Sequence, residues 1–311
     1  MLPAMRARLI AAFAAVYLVW GSTYLAILFA VETLPPLLMA GARFIIAGAI
    51  LFLWARLRQG SSGPSRRDWI TGLIGGALLL LGGNGAVVWA EQRVPSGIAA
   101  LLVAIVPLWM VLLDWMRRGG RRPPGLVFAG LGLGLAGLGL LIGPDALRGG
   151  GDIDLLGAGV LVLGSLSWAL GSVYSQRAPR PSSPNIGSGT QMFAGGLCLL
   201  AVALASGEAA QLDLARASTR SLLAFAYLVT FGSLIGFTAY AYLLAHTTAA
   251  KAATYAYVNP VVAVLLGWAF ANEPVTSRTL VAAAVILAGV AIITVARDGE
   301  VTAEIEERAA A

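Results

Sequence analysis

The side chains able to do chemistry in this chain are few, neutral and set in apolar surroundings. Ser165, Trp168, Ser172 and Ser175 recur at three- and four-residue spacing, which places them on one helix face. Trp20 and Tyr24 stand four apart around Gly21-Ser22-Thr23, and Asn84 sits inside Gly82-Gly83-Asn84-Gly85. Ala252, Tyr255 and Asn259 share another face. Such a set offers hydrogen bonds and aromatic walls, suited to holding a small neutral or zwitterionic molecule. Bond-breaking chemistry has no comparable support. The one histidine, His246, excludes an HExxH zinc site, and the lone Cys198 excludes a cysteine cluster. No acid pair lies in an apolar stretch, and no glycine-rich loop runs into Lys-Ser or Lys-Thr. Catalytic residues, metals and cofactors are therefore not expected.

The elements that must position these residues are membrane helices. The chain is 59% hydrophobic and 12% charged, against about 25% charged in soluble domains. A helix needs about 20 mostly apolar residues to cross a bilayer. Ten such windows are legible, near 9–31, 37–57, 69–90, 96–113, 126–142, 155–175, 188–205, 221–244, 251–270 and 279–295. The first has basic residues before it but too long an apolar run for a signal peptide, and reads as an uncleaved span. Gaps between windows are short, leaving no room for an inserted soluble domain.

The formal charge of +6 reports topology rather than nucleic-acid binding. Fifteen of the 21 Lys and Arg fall on the side of both termini and five on the other, with Arg43 inside span two. Cytoplasmic loops collect basic residues, so both termini, including a tail over 297–311, are expected in the cytoplasm.

Two stretches stand out. Residues 249–266 carry Tyr255, Asn259 and Pro260 within an apolar run, and residues 96–113 echo them with Pro107. A proline inside a helix frees a carbonyl four residues back, which in lipid must find a partner or face a cavity. Both prolines are thus predicted helix breaks. The two stretches align at an offset of 153, the Gly-Ser-x-Tyr segments at 171–174 and 21–24 at 150, and Leu-Ala-Gly at 287–289 and 135–137 at 152. Consistent offsets in one order indicate a repeat of five spans, 9–142 and 155–296. Five is odd, so the second copy enters the membrane inverted, with substrate expected near the midplane between copies. In this alignment Asn259 faces Val106 and Tyr255 faces Leu102, with Trp109 one turn on. Spans four and nine are expected to move against the rest, with span nine doing more of the recognition.

The expected cavity residues are Trp20, Tyr24, Asn84, Trp109, Trp168, Ser172, Tyr255 and Asn259. Packing competes for some of them, since hydroxyl and small residues often serve helix contacts in membranes. The glycines of span five, Gly130, Gly134, Gly137 and Gly139, are read as such contacts. Arg43 and Lys251 are the candidate charge contacts. Arg43 has three roles open to it: holding a substrate carboxylate, pairing with a loop acid, or snorkelling to headgroups. Its place near a helix end favours the structural two. Glu273 is expected to cap or tether the helix that follows it. No Asp or Glu lies mid-window, so carboxylate-based proton coupling is not expected.

Trp20-Gly-Ser-Thr-Tyr24 with Ile27, the run from Pro36 to Arg43-Phe44, Asn84-Gly85, Pro95-Ser-Gly-Ile-Ala99, Ser167-Trp168, Gly171-Ser-Val-Tyr174, the run from Tyr257 to Gly267, and Glu273 together resemble the drug/metabolite transporter superfamily. The similarity is to its ten-span bacterial permeases with two EamA-type halves, over about residues 9 to 296. The resemblance implies an all-α polytopic membrane protein of two inverted five-helix repeats. It also implies export of small metabolites, including amino acids, across the inner membrane by alternating access, through a cavity lined by spans one, three, four, six, eight and nine. The small four-span drug exporters of the superfamily carry a glutamate in their first span, and this chain has none there. Relatives that carry phosphorylated sugars imply a basic cavity, also not apparent. Amino acids, aromatic or other neutral ones, are the leading substrate class. Hydrophobic drugs or lipid-like molecules are the alternative, and a non-transporting membrane enzyme or scaffold the outsider. Expected partners are the small-molecule substrate and membrane lipid, without nucleic acid, in a monomer or homodimer.

Overall fold

Helix N-termini in this chain are marked by short polar side chains. Ser65 and Asp68 form a reciprocal capping box, Asp154 accepts from the Gly157 N–H at 2.5 Å, and Ser183 and Ser218 accept from Ile186 and Ser221 N–H groups. In the computed structural model, which describes residues 3–59, 63–116, 125–142, 153–247, 252 and 254–310, these caps open four of the membrane-crossing helices. Among the described residues there is no strand. Among the described residues, eight helices are long and apolar enough to cross a membrane: spans one to eight at Met5–Ala30, Pro36–Leu57, Arg66–Ala90, Ser96–Trp115, Gly125–Ile142, Leu155–Arg177, Pro184–Ala205 and Thr219–His246. Spans nine (Tyr255–Ala271) and ten (from Ser277) follow, with shorter apolar stretches at Val258–Ala271 and Ser277–Ile293. Large apolar side chains such as Leu53, Trp54, Leu163, Leu223 and Trp268 are exposed on the outside of the bundle, where lipid tails would cover them.

Packing follows the repeat. Span two lies along span seven, and span five along span ten, so each helix meets its own counterpart. Span three packs on span six as span eight packs on span one, and span four meets span nine. Glycines set the closeness of these pairs. A Cβ added at Gly289 would stand 2.7 Å from the Gly130 carbonyl oxygen and 2.7 Å from the Gly134 nitrogen, and one at Gly137 2.9 Å from the Ile286 nitrogen. Lipid supplies no hydrophobic drive between helices, so backbone approach through small residues is what holds them. Gly139, by contrast, faces open space.

Three spans carry π-helical segments: Ala15–Trp20, Ala77–Asn84 and Leu228–Phe237. The second and third are repeat counterparts, with starts 151 residues apart. A π-segment disturbs the regular carbonyl ladder, and in lipid the affected carbonyls need partners. Each segment finds one on a facing span. Trp20 Nε1–H donates to the Gly232 carbonyl at 3.1 Å, and the Ser167 hydroxyl donates to the Leu78 carbonyl at 2.8 Å. With its amide nitrogen turned toward span one, Asn259 donates to the carbonyls of Val16 and Tyr17 at 3.3 and 3.0 Å.

The two predicted breaks separate. Span four is interrupted, running as Ser96–Val103 and then Val106–Trp115, with Pro107 in the first turn of the second piece, where its missing N–H costs nothing. Pro260 breaks nothing: it sits inside the continuous helix Tyr255–Ala271. Pro260 lies in the second turn, so the Ala256 carbonyl loses its N–H partner, a loss that membrane helices tolerate without ending.

Polar ties join the helices at both ends. At the end carrying Glu32, Arg220 pairs with Glu32 at 3.3 Å, Glu208 accepts the Leu38 N–H at 2.9 Å, and Arg93 lies 3.9 Å from Asp154. Glu273 belongs to this end too. Its carboxylate accepts the N–H groups of Ser96 and Gly97 at 2.6 and 3.0 Å, so it caps span four rather than the helix that follows it. At the other end, Asp68 receives the Ser182 N–H and hydroxyl at 3.2 and 2.5 Å, and Arg177 meets Asp114 at 3.4 Å.

Candidate functional site

A cavity of about 70 Å³ lies where the two repeats meet. Span one contributes Trp20, Thr23, Tyr24 and Ile27, and span three Leu80, Gly83, Asn84 and Val87. Gly164, Ser165 and Trp168 come from span six, Gly232 and Phe237 from span eight, and Tyr255 and Asn259 from span nine. Span four adds only Val103, while span two, outside the expected set, adds Arg43 and Phe44. Of the paired stretches, span nine thus gives the lining two polar side chains and span four one apolar one, while spans one and three give four residues each.

Three lining rings, Trp20, Trp168 and Tyr255, pack together with a fourth, Tyr240, that is buried against them. Trp20 packs edge-on to Trp168 and to Tyr255 at 5.4 Å between centroids, and at 5.0 Å to Tyr240. Tyr240 lies 5.8 Å from Trp168 and 5.7 Å from Tyr255. Edge-to-face rings at these separations hold one another rigidly. Hydrogen bonds add to this: Tyr240 and Ser172 hydroxyls meet at 2.8 Å, and Ser172 donates back to the Trp168 carbonyl at 2.8 Å.

The lining also carries charge. Arg43 is only 3% exposed although it lies seven residues, roughly 10 Å, into span two. Snorkelling is thereby excluded: the guanidinium points inward. One nitrogen donates to Asn84 Oδ1 at 3.2 Å, and the group lies 4.3 Å from the Phe44 ring centre. The other two nitrogens, Nε and one Nη, are buried without a hydrogen-bond partner among the described residues. Trp168 Nε1 is likewise buried and unpartnered there, near the Tyr240 and Tyr255 hydroxyls without reaching hydrogen-bond geometry. Glu91, the residue immediately after span three, is likewise only 3% exposed, and its charge interacts with that of Arg43. It forms no ion pair with Arg43, and neither carboxylate oxygen has a hydrogen-bond partner among the described residues, the Leu28 backbone contact falling short of that geometry. Burial pushes the Glu91 carboxyl well above the usual carboxylate range, the Glu273 charge adds to this, and Arg43 opposes it.

Of the residues expected at the cavity, Trp20, Tyr24, Asn84, Trp168, Tyr255 and Asn259 line it. Trp109 and Ser172 do not. Span four restarts after Ala104–Ile105, and Trp109 turns its indole N–H to the Ser165 hydroxyl at 2.8 Å. Ser172 is consumed by Trp168 and Tyr240. Lys251 lies outside the described residues. Tyr240, Phe44 and Glu91 were not anticipated. Tyr240 had a signal, a tyrosine two turns beyond Gly232-Ser233 on an apolar helix; Glu91 had none, because it falls just past its window.

Residues 7–143 and again 155–295 match the EamA-like transporter family. The chain belongs to that family. The transporter is 41% identical over 284 residues to a protein of Escherichia coli K12 described as the uncharacterized inner membrane transporter YedA, covering 91% of this chain and 89% of that one. It is 26% identical over 277 residues to the protein PecM of Dickeya dadantii, covering 88% of each. A protein of solved crystal structure shares its fold at a TM-score of 0.64 and 21% identity, over 93% of this chain and 98% of that one. The fold is thus that of a multi-pass membrane transporter, and the family and YedA are described as transporters.

Proposed function

We propose that the transporter exports small amphiphilic metabolites, amino acids first and among them aromatic or other neutral ones, by alternating access through the cavity between its repeats. The observation that carries this reading is the cavity's mixed lining. Trp20, Trp168 and Tyr255 give it aromatic rings, with Tyr240 packed against them, and Arg43 and Asn84 give it polar groups. Ring faces receive apolar side chains and attract an ammonium group by cation–π interaction. Buried donors without acceptors favour a ligand that brings acceptors, since each unpaired group carries a desolvation penalty. A hydrophobic drug would leave those donors unpaired, which counts against that alternative. The present volume holds roughly five waters, well below the 300 Å³ or more of a ligand pocket, so the structure corresponds to a narrow state that must widen to admit substrate. The description of YedA supports placement in the inner membrane, and the basic-residue bias supports cytoplasmic termini.

Proteoliposomes preloaded with labelled phenylalanine, tryptophan, leucine and threonine test the substrate class. Efflux above protein-free vesicles for at least one of them is expected. Efflux of none, alongside transport of a hydrophobic cation such as ethidium, would transfer the reading to the alternative.

A further inference from the structure

The cavity's guanidinium has no acceptor among the described residues for two of its nitrogens, and a buried carboxylate that interacts electrostatically with it has both oxygens without a hydrogen-bond partner there. From this juxtaposition we infer that Arg43 is the binding group for a substrate carboxylate, and that Glu91 is a built-in competing anion whose protonation state sets the affinity of that site. The inference rests on the proposed export of amphiphilic metabolites and deepens it, naming the carboxylate as the recognised group.

Arg43 meets the requirements of a built anion site. It is deeply buried, lines the cavity, and is aimed by the Asn84 hydrogen bond and the Phe44 ring, while Nε and one Nη remain unmatched. The Nε–H and the Nη1 hydrogens lie on different sides of the guanidinium, so either can give a carboxylate oxygen a charge-assisted hydrogen bond. Arginine stays protonated across physiological pH, so the site does not switch itself off.

Glu91 supplies the switch. A buried ionised carboxylate without partners is very unfavourable, and such a group relieves the cost by taking a proton or by drawing a cation to it. Arg43 is the cation within reach, from span two. The groups facing Glu91 from its other neighbours are fixed or neutral. Span one presents the Tyr24 phenol, and the segment after span nine presents Glu273, whose oxygens are held by two backbone N–H groups. Span six begins with Asp154, which caps Gly157 and faces Arg93. With Glu91 charged, part of Arg43's attraction is already spent on it. With Glu91 protonated, the guanidinium is free for the ligand. Carboxylate affinity should therefore rise as pH falls, through the titration of Glu91.

The test uses the full-length transporter in nanodiscs. Four probes share a phenyl body: L-phenylalanine, its amide, 3-phenylpropanoate and phenethylamine. Equilibrium binding is measured between pH 5.5 and 8, where the probe carboxylates stay ionised. Wild type should prefer the two carboxylates over the two probes that lack one. Arg43→Gln should weaken carboxylate binding about ten- to a hundredfold and leave the others unchanged, with Arg43→Lys recovering part of the loss. Glu91→Gln should bind 3-phenylpropanoate more tightly than wild type at pH 8 and lose the pH dependence. Monodisperse elution and unchanged binding of phenethylamine show that a variant is folded. Equal affinity for acid and amide, or a Glu91→Gln variant that weakens carboxylate binding, overturns the inference while leaving metabolite export standing. Binding of 3-phenylpropanoate through Arg43 without binding of phenylalanine keeps the carboxylate site and removes amino acids from the substrate class. Binding of no carboxylate at all overturns both.

Discussion

Glu273 is the residue whose replacement should most directly change which way the transporter faces. Its two oxygens take the Ser96 and Gly97 N–H groups at 2.6 and 3.0 Å, tying the segment after span nine to the start of span four. Both are hydrogen bonds to a charged acceptor, placed where the helix dipole also favours an anion. Glu273→Gln keeps one acceptor oxygen but loses the second and the charge, a cost of about 1.5–3 kcal/mol. Under the proposed alternating access, spans four and nine part from each other at the Glu32 end when it opens, so the tie belongs to the closed form and its loss penalises only that form. The equilibrium should then move toward opening there by roughly ten- to 150-fold. The assay is the labelling rate of a single cysteine at Val103, which lines the cavity, in a Cys198→Ser background, with an impermeant maleimide added on the Glu32 side. Glu273→Gln should label at least severalfold faster, and Gly267→Ala should act alike, because a methyl there collides with the Glu273 carboxylate. If Glu273→Gln labels at the parent rate while remaining folded, the carboxylate is only a helix cap and the gating argument is wrong.

Gly289→Ala should lower the thermal midpoint by a few degrees, since its Cβ would press on backbone atoms of Gly130 and Gly134 and overpacking costs about 1–3 kcal/mol. Gly139→Ala, with nothing near its Cβ, is the matched control, and equal midpoints for the two would contradict the glycine seam. Trp20→Phe leaves the Gly232 carbonyl without its indole donor and should cost about 1–3 kcal/mol in thermal or denaturant unfolding; a neutral result would mean another group serves that carbonyl. Asn259→Leu removes the donor to Val16 and Tyr17 and should destabilise similarly, whereas Asn259→Gln should recover little because its longer side chain misplaces the amide.

Much of this architecture could be read from spacing alone. Apolar windows and near-constant offsets come from the bilayer's thickness and from a doubled unit, and both leave marks at every helix. Trp20, Trp168, Tyr255 and Asn259 were legible because a polar or aromatic group deep in a span is costly against lipid unless it turns to a cavity or a polar neighbour. The π-segments were not, since no residue pattern distinguishes Ala77–Asn84 from an ordinary apolar helix. Their presence decides the role of Asn259, which serves span one's carbonyls as well as the cavity. Trp109 was misplaced because an offset assumes an unbroken helix, and the restart of span four at Val106 re-aims its ring. Arg43 and Glu91 depend on depth and burial, which sequence position near a span end does not report: one looked able to snorkel and the other looked like a loop residue.

The central claim is that this one cavity opens in turn to each side of the membrane. Single-cysteine Val103 protein in oriented vesicles, labelled with an impermeant maleimide from one side and then from the other, tests it most directly. Reaction from both sides is predicted, slowed from each by a saturating transported carboxylate. Reaction from neither side, or from one side only whatever the ligand, would contradict alternating access through this cavity.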